Sequence, residues 1–150
     1  MSRESLHLAI GIILSTAACS GSSSPPPVDL NDFTGAAWTF TDTVTESCDA
    51  GTGLQNGSST VTLVASGSSG LTYTSANGCA FDFTVSGDTA TLSNGPVTCS
   101  GTSGSLTAVT SFTSFTLSTS DGAHMTGMAG GTVTVGGIEC PFSATVSGTR

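Results

Sequence analysis

From Gly35 onward the chain alternates apolar and hydroxyl-bearing residues with a period of two. Trp38, Phe40 and Val44 alternate with Thr39, Thr41, Thr43 and Thr45. Val61 and Leu63 do so with Thr60 and Thr62, Phe81, Phe83 and Val85 with Asp82 and Thr84, and Phe115 and Leu117 with Thr116 and Ser118. Val133, Val135, Phe142, Ala144 and Val146 continue the pattern. Successive side chains of a strand point to opposite faces, so each run offers one face to a core and one to water. The pattern predicts eight strands, at about 36–46, 59–65, 70–75, 79–86, 89–99, 105–119, 123–135 and 138–148. In the sixth, Leu106 and Ala108 are out of phase with Phe115 and Leu117, which places a bulge or break near Val109 to Ser114.

The turns fix the registers. Gly87-Asp88 suits a two-residue hairpin with Gly at its first central position, pairing Val85 with Ala90 and Phe83 with Leu92. Gly136-Gly137 pairs Val135 with Ile138 and Val133 with Cys140. A three-residue loop, Ala76 to Gly78, pairs Tyr73 with Phe81 and Leu71 with Phe83. A two-residue loop there would slip the register by one and split the core. The same loop length at Ser120 to Gly122 pairs Leu117 with Met125 and Phe115 with Gly127.

Sequential hairpins with short links predict an all-β fold, an eight-stranded antiparallel up-and-down barrel whose closure removes exposed edges. The alternative is a β-sandwich of immunoglobulin-like type, since alternation alone does not separate the two. In the barrel, Cys48, Cys79, Cys99 and Cys140 all fall at one end. Strands one and eight become neighbours on closure and strands four and five are hairpin partners, so the expected disulfides are Cys48–Cys140 and Cys79–Cys99. The layout resembles the lipocalin-like small barrels, with Gly35 and Trp38 opening the first strand. That resemblance is architectural and transfers no binding residue.

The first 34 residues differ in kind. Leu6 to Leu14 is an apolar stretch too short to span a bilayer, which takes roughly 20 residues, and it reads as the hydrophobic region of a signal peptide. Ser15, Thr16, Ala17 and Ala18 then precede Cys19. This resembles the lipobox of bacterial lipoproteins and implies diacylation of Cys19 as the mature N-terminus. The Ser that follows Cys19 implies the outer membrane in lipoproteins of this kind, with plain secretion or a periplasmic location as the alternative. The chain has five cysteines, and assigning Cys19 to lipid leaves four to pair in an oxidising compartment. Ser20 to Ser24 and Pro25 to Pro27 form a spacer. The expected organisation is a signal peptide at 1–18, an anchor and linker at 19–34, and a barrel domain at 35–150.

Composition narrows the partners. The net charge is −8 and the basic residues are Arg3 and Arg150 alone, so the Lys/Arg clusters that bind phosphate backbones are missing and no nucleic acid is expected. The expected membrane contact is the lipid. Ser and Thr make up about a third of the chain, with 20 Gly, which suits hydroxylated outer faces and tight turns.

Candidate chemistry is sparse. His124, beside Asp121, has no nucleophile motif around it, and one histidine does not supply a zinc site. No enzyme activity and no cofactor are expected. Glu46, Asp49 and Glu139 lie near the Cys48–Cys140 end and form a weak candidate calcium site. Asp42 shares parity with Trp38, Phe40 and Val44, so its carboxylate faces inward. Gly127, Ala129 and Gly131 are small inward positions that either admit bulky neighbours or leave space. A cavity lined by Trp38, Asp42 and Phe83 is the expected place for a small apolar ligand, in a non-catalytic envelope module that takes such a ligand or an envelope partner. The alternative is a structural surface protein with a filled core.

Overall fold

The computed structural model describes residues 29–48, 51–103 and 106–150. Cys19, the leader and Asp49 lie outside them. The described chain is all-β apart from one 3₁₀ turn, Leu30–Asp32. The strands are β1 (Trp38–Cys48), β2 (Gly51–Val61), β3 (Val64–Ser66), β4 (Gly70–Thr74), β5 (Ala80–Ser86), β6 (Thr89–Leu92), β7 (Val97–Ser103), β8 (Leu106–Ser118), β9 (His124–Val135) and β10 (Ile138–Thr149). No helix among the described residues is long and apolar enough to cross a membrane.

All ten strands belong to one antiparallel sheet, in the order β2-β1-β10-β9-β8-β6-β5-β4-β3 with β7 paired to β8. A single sheet replaces the two of a sandwich. The sheet curls strongly into a half-barrel. Its edge strands, β2 and β3, are joined only by Thr62 and Leu63, so the chain itself crosses from one edge to the other. Val61 and Leu63 are buried at that crossing.

The strands differ from the expected eight in three local respects, two of which raise the count to ten. β2 starts well before residue 59 because Gly51 to Ser58 pairs along the whole of β1. It is an edge strand exposed on both faces over 52–60, so it carries no alternation to read. The single strand expected over 59–65 divides at Thr62–Leu63. The one expected over 89–99 divides at Ser93 to Pro96 into β6 and β7, where Pro96 has no N–H for a ladder.

The predicted registers hold at three hairpins: Val85 with Ala90, Val135 with Ile138, and Tyr73 with Phe81. Positive φ falls on Gly87, on Gly136 and Gly137, and on Gly78, as those turns require. The fourth differs. Leu117 pairs with Gly127 rather than Met125, and Phe115 with Ala129. The loop is wider because Thr119 donates its N–H to the Asp88 carbonyl instead of to β9, while Asp121 accepts from the Ala123 and His124 amides. A shift of two leaves the inward faces unchanged. The expected bulge in β8 falls between Phe112 and Ser114.

Both disulfides form in the predicted pairing, with Cα–Cα distances of 4.7 Å for Cys48–Cys140 and 5.7 Å for Cys79–Cys99. The first follows from the β1–β10 ladder, which pairs Glu46 with Phe142 two residues away. The second spans a seam. β6 ends at Leu92, and from there β7, bound only to β8, takes its place beside β5. Across the seam the Asn94 side chain accepts from the Asp82 amide and donates to the Ala80 carbonyl. Such cross-links belong to an oxidising, extracytoplasmic compartment.

Candidate ligand-binding cavity

The interior divides into a filled end and an open end. At the filled end, where β1 starts, Phe33, Trp38, Leu71, Ala90 and Met125 are almost fully buried. The Trp38 indole N–H donates to the Phe33 carbonyl at 2.8 Å. The Arg150 guanidinium lies 4.5 Å from the centre of the Trp38 ring. It also donates to the carbonyls of Asn31, Thr34 and Gly122. The cation thus pins the 3₁₀ segment, the β8–β9 loop and β10 over the base.

Toward the other end the core hollows into a cup of about 420 Å³. Its floor is Phe40, Val61, Leu63, Phe83, Leu117 and Val146, and its walls rise through Tyr73, Phe81, Phe112, Phe115 and Phe142. These rings form a connected set. Tyr73 stacks on Phe81 at 5.7 Å, and Phe81 meets Phe112 edge-on at 5.1 Å. Phe112 meets Phe142 at 5.3 Å, and Phe115 meets Phe83 at 5.4 Å. Edge-to-face pairs add about 0.5–1.5 kcal/mol each beyond their buried area, so the walls hold their shape. Polar groups lie among them: Asp42, Glu46, Gln55, Ser59, Ser75, Asn77 and Thr110. Burial pushes the Tyr73 phenol above its ordinary pKa.

Of the three residues expected to line a cavity, Asp42 and Phe83 do so and Trp38 does not. The reason is the strand rise. Trp38 precedes Phe40 on the same face, and the Phe40 ring, 6.4 Å from the indole, already forms the floor. Asp42 sits on the wall, half-buried. Opposite it on β2 is Gly57, where a Cβ would stand 2.6 Å from a carboxylate oxygen. Among the small inward positions, Ala129 lines the cup. Gly127 and Gly131 instead admit the neighbouring β8 backbone, and at Gly127 also Leu117. The aromatic walls from Phe112 and Phe142 were missed. The parity of Phe142 was legible, but the bulge hid that of Phe112, and nothing in the pattern showed that space remained between the rings.

Of the calcium candidates, Glu46 and Glu139 are not brought together. Glu46 faces the cup, where Gln55 donates to it at 3.2 Å. Glu139 precedes the inward Cys140 and lies exposed on the outer face. Strand alternation therefore separates the two, and Asp49 is outside the described residues. His124 is exposed and does not line the cup. Its Nδ1 lies 2.7 Å from an Asp121 oxygen, and that contact with the two backbone N–H bonds holds the Asp121 carboxyl well below the usual carboxylate range.

No family model matches the chain, and no curated protein does. Among solved structures it is similar to the crystal structure of ywiB protein from Bacillus subtilis. The two share 13% identity and a TM-score of 0.33, over 76% of this chain and 92% of that one. That likeness bears on neither site nor ligand.

Proposed function

We propose that this chain is a non-catalytic binding module of the cell envelope that takes a small apolar ligand into its cup. The observation that carries the proposal is the cup itself, about 420 Å³ between connected aromatic walls. Ligand pockets run about 300–1,000 Å³, mostly apolar with a few placed polar groups. The lipobox resemblance supports a lipid anchor on Cys19 in the outer membrane, and the disulfides fit that side of the inner membrane. The spacer after Cys19 would hold the module off the bilayer. A filled surface protein remains the second reading only through the Thr-rich outer faces; the cup favours the ligand.

The test uses the exported chain with its disulfides formed and N-phenyl-1-naphthylamine, a neutral apolar fluorophore. Its emission should rise saturably at one site per chain. Val44, half-buried on the cup wall, has open space in front of it, so Val44→Trp should fill the cup and weaken the probe at least tenfold. Undiminished binding to a folded Val44→Trp protein would place the site elsewhere.

A further inference from the structure

We propose that the cup selects an apolar amine, a compact hydrophobic body carrying an ammonium group. The inference rests on the cup being the ligand site and adds the charge of the ligand.

β1 presents Phe40, Asp42, Val44 and Glu46 in succession to the interior, and all four line the cup. Two carboxylates therefore stand on one wall, roughly 13 Å apart along the strand by its rise. Asp42 is the deeper, next to the Phe40 floor and across the ladder from Val146. Glu46 lies higher, across from Phe142.

Among the described residues no basic side chain lines the wall. The chain has no lysine, and its basic residues are Arg3 and Arg150. Arg3 lies outside the described residues. Arg150 is held at the filled end by the Trp38 ring and backbone carbonyls. A neutral or anionic guest that displaces water from Asp42 leaves its charge unpaired in an apolar space, which is costly. An ammonium group placed there turns the same desolvation into a charge-assisted contact. The aromatic walls add attraction for a cation through their ring faces. Glu46, nearer the mouth, draws cations in, with an effect that salt screens. Gly57 leaves the Asp42 carboxylate its room: any side chain there would collide with it.

The experiment is calorimetric titration of the disulfide-bonded chain at neutral pH with 1-adamantylamine, 1-adamantanol and adamantane-1-carboxylate. These share one rigid body and differ in charge. The amine should bind at least tenfold tighter than the alcohol, and the carboxylate most weakly. Asp42→Asn should bring the amine-to-alcohol affinity ratio close to one. Glu46→Gln should lower the ratio less and flatten its dependence on salt. If the alcohol binds as well as the amine, or if neither variant changes the ratio, selection by charge is wrong while the cup stands as the site. If none of the three binds, the cup is not a site for compact apolar bodies and both proposals fall.

Discussion

Gly127 shows how a single residue sets the shape of the interior. A Cβ at this inward position would stand 2.6 Å from the Thr116 carbonyl and 2.7 Å from a Leu117 methyl. Gly127→Ala should therefore destabilise by about 1–3 kcal/mol, the range of overpacked cores. Strand propensity alone predicts the opposite sign, since Gly weakens a strand interior. Urea denaturation decides between them. Arg150 acts at the filled end as a cation over Trp38 and a fork for several carbonyls. Arg150→Ala should cost about 1–2 kcal/mol and shift Trp38 emission to the red. Arg150→Lys should restore little, because an ammonium lacks the planar fork. Unchanged emission would mean the guanidinium does not cover the indole. Neither role can be read from the pattern. Arg150 stands next to Thr149 with no motif around it, and Gly127 reads only as small and inward.

At the scale of elements, what was legible followed from alternation and turn chemistry. Inward parity identified Phe81, Phe83, Leu117 and Val146 as core, and three glycine-bearing turns set the registers of all but Leu117 correctly. The cysteine pairing followed from closure, which sets the first and last strands side by side, and from the expected neighbourhood of the strands that carry Cys79 and Cys99. What was not legible lay where local rules give no signal: β2, exposed on both faces; the divided β6 and β7; and the loop widened by Thr119 bonding to Asp88. The disulfides differ in the loop they close, with sequence separations of 92 for Cys48–Cys140 and 20 for Cys79–Cys99. By loop-closure entropy, replacing the first pair with serine should cost about 4–5 kcal/mol and the second about 3 kcal/mol. The second should have the larger effect on ligand affinity, since Cys79 and Cys99 both line the cup and bridge the β5–β7 seam. Denaturation and probe titration of each double variant check both orderings. Equal affinity in the two variants would show that the seam does not shape the cup.

The whole molecule is a curled sheet with one end filled and one end hollow. The filled end gathers Trp38, Phe33 and the Arg150 clamp, and the hollow end gathers the connected aromatic rings and inward carboxylates. This polarity was only half visible in advance. An inward Asp42 with Phe83 pointed to a cavity, whereas grouping Trp38 with them placed in the site a residue that lies beneath the floor. Side-chain parity says which residues face inside, but the volume left between them depends on how tightly the sheet curls. The most direct test of the account is chemical-shift mapping of the isotope-labelled, disulfide-bonded chain titrated with N-phenyl-1-naphthylamine. Shifts should concentrate at Asp42, Phe83, Phe112, Ala129 and Phe142, with Trp38, Met125 and Arg150 nearly unmoved. Shifts centred on Trp38 and Arg150, or spread over the Thr-rich outer face, would contradict it.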